Sequence, residues 1–383
     1  PFNVGYGING AAAGNVLYWN NAIGNVTQLN RDVAVSTIQA PNVTGAVPAG
    51  SILNLAGNNL TIAGTASTEF AGFIYGGVGA VGTLGTGGLI KVGSGTLTLS
   101  SVNSSNYTGK TTVLGGTLSL NFNNLTTAPS AIISNVSTLE LGGGILNFTG
   151  KTSGTNTQAF ASTTLLPGGS RTTFTATTPV ALTLNLGLIT RAVAGSGIDF
   201  LTAQNGTGGT LVLNSNDAAT GTIIGGWATA GAGGSFAAAS SGKATQLGTY
   251  SATYVAGANV DNGTLATIGS SPISVNTLRF NSVNPVTLDA TAGLTVASGG
   301  VLITPTVGTN AVTIQGGTIT SGNGLDLIFH QWNANAAGFV TVASKITGNI
   351  GLTKTGTGKF TLSGANTYTG PTNVNAGIFE TSG

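Results

Sequence analysis

Titratable side chains are the groups from which a catalytic site would be built, and this sequence has few of them. It contains nine acidic residues and one histidine among 383 residues, and no cysteine. A glycosidase needs two carboxylates flanking one bond, and the acids nearest in sequence are Asp199 and Asp217. These two could stack one coil apart in a repetitive fold, but no further charged residues gather around them. The sequence therefore predicts no catalytic pair.

Residues that could bind a metal ion are also scarce. His330 is the single histidine, so it cannot form a site built on several imidazoles, and no Gly-x-Ser-x-Gly context indicates a hydrolase nucleophile. Calcium loops need several acids within about a dozen residues, which this sequence lacks. No cofactor is predicted, although one Ca²⁺ bound by carbonyls and a carboxylate, at Asp261 and Asn262 or at Asp217, is left open. We predict that His330 is a polar residue on a strand face and that the protein is not an enzyme.

Charge and hydropathy argue against a nucleic-acid partner and against a transmembrane segment. Only 5% of residues are charged and the formal net charge is +2, with scattered basic residues and no clustered patch for phosphates. The uncharged stretch between Glu69 and Lys91 has about the length of a membrane span, but each glycine in it costs roughly 1 kcal/mol in a helix. Neither a nucleic-acid partner nor a transmembrane segment is predicted. Glycans stay open as partners because several aromatic side chains could stack on sugars: Tyr18, Trp19, Trp227, Tyr250, Tyr254 and Trp332.

The elements that would hold these residues are short strands. Leucine and threonine alternate in segments 96–99, 117–120 and 181–186, which places every second side chain in a core. Glycine pairs and Asn-Gly steps interrupt the runs and supply the positive φ that turns need. The best helix candidate is the alanine-rich segment 236–246. The pattern predicts an all-β protein.

One segment of the chain occurs twice. Lys91-Val-Gly-Ser-Gly-Thr-Leu-Thr-Leu-Ser returns as Lys354-Thr-Gly-Thr-Gly-Lys-Phe-Thr-Leu-Ser, and each is followed by Tyr-Thr-Gly, at Tyr107 and at Tyr368. A single strand pair of this kind cannot bury its apolar face alone, whereas stacked units bury a continuous column of side chains. We predict an elongated parallel β-solenoid with Gly- and Asn-rich turns and roughly 20–25 residues per coil.

Residues 351–377, and more loosely 88–118, resemble the autotransporter-associated β-strand repeat, also called the passenger-associated transport repeat. The resemblance implies a right-handed β-helix in a secreted or cell-surface bacterial protein, often adhesin-like. It brings no catalytic residues, because the repeat is a folding and export module. We expect residues 1–30 to form a non-repeat cap or docking segment and residues 31–383 to form the solenoid, with 165–275 the least regular part.

Two functions compete at this stage. The leading one is a self-assembling subunit of a bacterial surface layer, sheath or filament, because low charge does not keep molecules apart and exposed strand edges invite further strands. Its C-terminal repeat looks uncapped, and its assembly residues would be Phe2, Val4, Tyr6, Ile8 and Phe379. The alternative is a passenger domain, a stalk or adhesin that binds glycans or cell surfaces. A β-helix polysaccharide enzyme and an ice-binding threonine face are weaker options.

Overall fold

The computed structural model of the protein divides into two compact units. The first comprises Pro1–Leu165, Ser170–Thr190 and Thr202–Asn216, and the second comprises Leu166–Gly169, Arg191–Leu201 and Asp217–Gly383. The structure describes residues 2–4, 16–18, 26–39, 52–77, 84–101, 104–123, 131–150, 156–175, 182–201, 209–212, 221–263, 267–333 and 339–382.

The described residues form β-strands and one 3₁₀ turn at Pro305–Val307, with no α-helix. Up to residue 212 the strands are β1 (Phe2–Val4), β2 (Val16–Tyr18), β3 (Val26–Leu29), β4 (Val33–Val35), β5 (Thr37–Gln39), β6 (Ile52–Asn54), β7 (Asn59–Ile62), β8 (Thr68–Phe70), β9 (Phe73–Tyr75), β10 (Gly88–Lys91), β11 (Thr96–Leu99), β12 (Thr111–Val113), β13 (Thr117–Asn121), β14 (Leu139–Leu141), β15 (Ile145–Thr149), β16 (Asn156–Ala159), β17 (Ser162–Leu165), β18 (Gly168–Thr175), β19 (Leu182–Asn185), β20 (Leu188–Thr190), β21 (Ser196–Leu201) and β22 (Gly209–Val212).

The strands beyond residue 212 continue the series. They are β23 (Ala228–Ala230), β24 (Ser235–Ser240), β25 (Lys243–Gln246), β26 (Asn259–Asp261), β27 (Ile273–Val275), β28 (Thr277–Phe280), β29 (Val286–Asp289), β30 (Leu294–Val296), β31 (Gly300–Ile303), β32 (Val312–Gln315), β33 (Thr318–Ser321), β34 (Asp326–Gln331), β35 (Phe339–Val342), β36 (Lys345–Ile346), β37 (Gly351–Thr355), β38 (Lys359–Leu362), β39 (Thr372–Val374) and β40 (Ile378–Thr381). The predicted all-β class and the parallel stacking of a β-solenoid are confirmed.

Parallel strands stack in the first unit as successive coils. One sheet has the order β4-β7-β10-β12-β14-β17-β20, and another runs β8-β11-β13-β15-β18. The register places Leu97 opposite Leu118 and Leu118 opposite Leu146, and all three are fully buried. Each such leucine contributes roughly 2 kcal/mol of hydrophobic stabilisation. The alternation read from the sequence therefore builds the core column directly.

Three parallel sheets surround one core in the second unit: β26-β28-β31-β34-β37-β39, β27-β30-β33-β36 and β29-β32-β35-β38-β40. The step between neighbouring coils varies more than the sequence predicts. Val260 pairs with Leu278 across 18 residues, whereas Asn59 pairs with Gly88 across 29 residues in the first unit. Several coils have the predicted 20–25 residues, such as the 22-residue step from Leu89 to Thr111. Others are shorter or longer because turns between short strands absorb insertions without disturbing the register.

The alanine-rich segment 236–246, the best helix candidate in the sequence, is a β-hairpin. β24 and β25 pair antiparallel, with Ser240 opposite Lys243. The two residues between them, Ser241 and Gly242, have φ of 48° and 74°, as a two-residue turn with positive φ at both positions requires. Tertiary packing overrides the helix propensity of alanine here, because β24 is buried between two neighbouring strands.

The N-terminal segment contributes backbone pairing within its own unit. β1 pairs in parallel with β3, and β2 pairs in parallel with β5. No helix among the described residues is both long and apolar enough to cross a membrane.

Candidate functional site

A lysine occupies the core column at the same place in each repeat. Lys91 lies in register between Ile62 and Val113, and Lys354 lies opposite Phe329. Their exposures are 1% and 0%. A buried ammonium needs acceptors to offset its lost hydration, so the surrounding turns must supply them.

Backbone carbonyls surround both ammonium groups. Lys91 Nζ donates to the carbonyls of Gly93 and Gly115. Lys354 Nζ donates to Gly356 O at 2.5 Å and to Ala376 O at 2.7 Å. In each case one carbonyl belongs to the turn after the lysine's own strand and the other to the equivalent turn of the next coil. The lysine therefore joins two adjacent coils.

A glycine in the left-handed region closes each cage. Gly116 and Gly377 have φ of 60° and 74°. A Cβ at these positions would lie 2.7 Å from Lys91 Nζ and 2.5 Å from Lys354 Nζ. Both the backbone conformation and the approach of the ammonium therefore require glycine.

Burial lowers the pKa of Lys91 and of Lys354 to about 8, since desolvation disfavours the charged form. A pKa near neutrality is typical of a reactive lysine. These two amines are enclosed by carbonyls and almost wholly excluded from solvent, so no substrate could reach them. Their arrangement is suited to structure and not to nucleophilic chemistry.

A tyrosine and a threonine form the second shared feature of the repeats. Tyr107 Oη lies 2.8 Å from Thr111 Oγ1, and Tyr368 Oη lies 2.7 Å from Thr372 Oγ1. Tyr107 is fully buried, and its burial raises the pKa of its hydroxyl. Tyr368 makes the same contact half-buried.

His330 lies in a buried polar network of the second unit. Its Nε2 donates to Gly226 O at 2.8 Å, and its Nδ1 lies 2.8 Å from Thr355 Oγ1. Burial, the dominant cause, lowers the pKa of His330 to about 4. Both ring nitrogens are engaged and the ring is 1% exposed, so the histidine is a polar residue of β34 with no access for a substrate.

An ion pair accompanies the histidine in the same unit. Arg191 Nη2 lies 2.7 Å from both carboxylate oxygens of Asp326, which also accepts hydrogen bonds from Gly195 N and Thr353 Oγ1. Buried charges need such complete pairing. This pair could not be predicted from the sequence, because its members are 135 residues apart and lie in no local motif.

The candidate acids are also engaged. Asp199 is buried and accepts hydrogen bonds from Thr229 Oγ1 at 2.7 Å and Gly233 N at 3.2 Å, while Asp217 lies outside the described residues. Asp261 Oδ2 is 2.5 Å from Arg279 Nη2, and Asn262 donates to Tyr254 Oη. Within the described ranges, no three His, Cys, Asp or Glu side chains cluster as metal ligands.

The aromatic candidates for sugar stacking that the structure describes with their side chains are half-buried. Tyr250 and Trp332 pack against a cluster that contains Phe236 and Leu302, and the Tyr250 ring lies 3.6 Å from the guanidinium carbon of Arg279. Trp227 is half-buried, and Trp19 lies outside the described residues.

A row of threonines, exposed at Thr287 and half-buried at the other three positions, runs across one sheet of the second unit. Thr287, Thr313, Thr341 and Thr361 follow one another in register on β29, β32, β35 and β38. Neighbours on each strand are buried, so the threonines face outward. Glu380 of β40 continues the row. This surface offers hydroxyl groups about 4.8 Å apart.

The structure describes only some of the five proposed assembly residues. Phe2 and Val4 belong to β1, which pairs with β3, and Tyr6 and Ile8 lie outside the described residues. Phe379 is half-buried, and its ring stacks on Phe360 with centroids 5.5 Å apart.

Comparisons with known proteins agree with this geometry. The family model of the passenger-associated-transport-repeat matches residues 89–120 and 352–380, the segments that contain the two lysine cages. The chain is also similar to the Adhesin BmaC autotransporter of Brucella suis biovar 1 (strain 1330), with 33% identity over 349 residues. That alignment covers 86% of this chain and 9% of the relative. No solved structure matches.

The chain spans less than a tenth of the relative's length, and the matched repeats are those that the sequence analysis identified. The chain therefore contains two copies of the passenger-associated-transport-repeat, and both lie in its parallel β-solenoid strands.

Proposed function

We propose that this chain is a non-enzymatic segment of the passenger of a cell-surface adhesin, exposed outside the cell. The observation that carries the proposal is the 33% identity to an autotransporter adhesin across 86% of the chain. This similarity favours the passenger alternative over the self-assembling filament subunit, which was inferred from low charge and open strand edges alone.

The interior of the solenoid supports a non-enzymatic role. Among the described residues, the side chains of Lys91, Lys354 and His330 are buried and hydrogen-bonded. Each of these side chains forms hydrogen bonds that join coils or segments of the chain. A surface role then has to rest on the outward-facing side chains.

The threonine row of β29, β32, β35 and β38 is the surface that we propose for glycan contact. Hydroxyl groups can both donate and accept hydrogen bonds, which suits the hydroxyls of a sugar chain. The row carries no charge before Glu380, so it does not depend on an ionic partner.

Beads coated with the purified chain test the adhesive role. We expect them to attach to glycan-bearing cells more than beads coated with the same chain unfolded by heat. The double variant Thr313→Val, Thr341→Val removes two hydroxyls from the row with little change in shape, and it should reduce attachment severalfold.

Thr98→Val on the outward side of β11 is the matched control, because it removes a hydroxyl from the other unit. Attachment no greater than that of the unfolded chain would contradict the adhesive proposal. Equal loss in Thr98→Val would contradict the assignment to the threonine row.

A further inference from the structure

Asn-Gly steps occur four times in the sequence, and two of them, Asn262-Gly263 and Asn323-Gly324, lie among the described residues. Such a step can modify itself, because glycine has no side chain to keep its amide nitrogen away from the side-chain carbonyl carbon of the asparagine. The other two steps, at Asn9 and Asn205, lie outside the described residues. The fold holds the two described steps in different ways.

The turn before β34 directs two backbone donors at the side chain of Asn323. Its Oδ1 accepts hydrogen bonds from Leu325 N at 2.8 Å and from Asp326 N at 3.1 Å. Its Nδ2 donates to Ser298 O, in the turn of the preceding coil, at 2.9 Å. Fixed donors on a carbonyl oxygen stabilise the negative charge that this oxygen gains when its carbon is attacked.

Gly324 presents its amide nitrogen on an open side of the same turn. The residue is exposed and has a φ of 73°, and a Cβ built on it would meet nothing within 4 Å beyond its chain neighbours. Among the described residues, no hydrogen-bond acceptor is found for Gly324 N. Water can therefore remove the proton of this amide.

The step at Asn262 has the opposite environment. The side chain of Asn262 is fully buried, and its Nδ2 donates to Tyr254 Oη at 3.1 Å. Gly263 N donates to Asp261 O at 3.1 Å. The nitrogen that would attack is therefore engaged, and the asparagine side chain is shut off from water.

We propose that Asn323 is a site of spontaneous deamidation, a covalent modification that the local fold promotes and that needs no enzyme. Gly324 N loses its proton to water and attacks Asn323 Cγ. The bond from Cγ to Nδ2 breaks, and this nitrogen takes up a proton and leaves as ammonia, which produces a cyclic succinimide. Water then adds to one of the two ring carbonyl carbons and opens the ring to aspartate or isoaspartate, with no net oxidation or reduction. This inference does not depend on the adhesive function.

The modification removes one tie between adjacent coils. A carboxylate at position 323 still accepts hydrogen bonds from the two amides of the turn, but it has no hydrogen to donate to Ser298 O. Isoaspartate also lengthens the main chain just before β34. Asn323→Asp, which carries one product from the start, should therefore have a lower melting temperature than the unmodified chain.

Peptide mass spectrometry of the full chain tests the proposal. Samples are kept at neutral pH, either folded or unfolded in guanidinium chloride, and the loss of unmodified asparagine is followed over time at both steps. Asn323 should react in the folded chain at least as fast as in the unfolded chain. Asn262 should react about tenfold or more slowly when folded, because its reaction requires local opening.

Gly324→Ala supplies a second test, because it places a methyl group beside the attacking nitrogen. The reaction at Asn323 should become severalfold slower, while the reaction at Asn262 in the same molecules should not change. Higher pH should accelerate the reaction at Asn323 in the parent chain, since the attacking amide must lose its proton.

Two outcomes would overturn the proposal. The folded chain could protect Asn323 by the same factor as Asn262, which would mean that its hydrogen bonds hold the side chain away from the attack. Gly324→Ala could leave the rate at Asn323 unchanged, which would exclude Gly324 N as the nucleophile. The first comparison uses only the parent chain, so it stands even if the variant folds poorly.

Discussion

The first and second repeats contain the same polar contacts but differ in apolar burial. Each has a lysine in a cage of carbonyls and a tyrosine bonded to a threonine four residues later. Val113 is fully buried, whereas its equivalent Val374 is 47% exposed. The polar contacts are complete within the two coils of a repeat, while apolar burial needs the coil that follows. Local hydrogen bonds thus define the repeat, and stacking stabilises it.

Truncation of the buried leucine Leu118 should cause the largest loss of unfolding free energy. Leu118→Ala should cost about 2–5 kcal/mol of unfolding free energy, because it leaves a cavity between stacked coils. Phe379→Ala, at the equivalent position, should cost clearly less, because that ring is half-buried. Urea unfolding curves measure both. Equal losses would contradict the smaller contribution that we assign to the half-buried Phe379 ring.

Acid should destabilise the second unit, which contains His330, more than the first. The folded pKa of His330 is about 4, below the unfolded value near 6.5. Between these values the unfolded chain binds a proton that the folded chain does not. Stability is therefore full above about pH 6.5 and falls by about 3 kcal/mol as the pH drops to about 4.

Urea unfolding followed by the fluorescence of Trp227 and Trp332 reports on the second unit. Arg191 and Asp326 are the charged groups that lie near the ring. His330→Gln should flatten the pH dependence. A slope that persists in His330→Gln would assign the acid sensitivity to carboxylates instead.

Removal of a caged ammonium should have a similar effect in both repeats. Lys91→Met and Lys354→Met keep the apolar stem but leave buried carbonyls without a donor, at a cost of about 1–3 kcal/mol each. Lys110→Met is the control, because Lys110 is exposed and pairs with Glu140 at the surface. Thermal unfolding of the three variants measures these losses of stability. A loss in only one repeat would mean that the cages are not equivalent.

Removal of the tyrosine hydroxyls should give the smallest difference in unfolding free energy between the two repeats. Tyr107→Phe removes a buried hydroxyl from a chain that continues through Thr111 to Ser137, and should cost about 1–2 kcal/mol. Tyr368→Phe removes the same contact at a half-buried site and should cost less than about 0.5 kcal/mol. Melting temperatures compare the two. A larger loss in Tyr368→Phe would contradict the role assigned to burial.

Much of the fold could be predicted from the sequence, because the alternation of leucine and threonine specifies the core face of each strand. The repeated Lys, Tyr and Gly positions marked both copies of the repeat. The alanine-rich hairpin could not be predicted, since its burial depends on neighbouring strands and not on its own propensity. The contacts of Arg191 and His330 were also out of reach, because they join segments more than 100 residues apart.

The lysine cages have a mechanical consequence. An ammonium that bonds carbonyls of two successive coils resists the separation of those coils when the chain is pulled from one end. At other coil boundaries neutral side chains supplement the backbone bonds, as Gln158 does at Ile133, and neutral hydrogen bonds are weaker than charge-assisted ones. Under tension, unwinding of each unit should pause at Lys91 and Lys354, so the repeats would act as stops that limit how much chain is released at once.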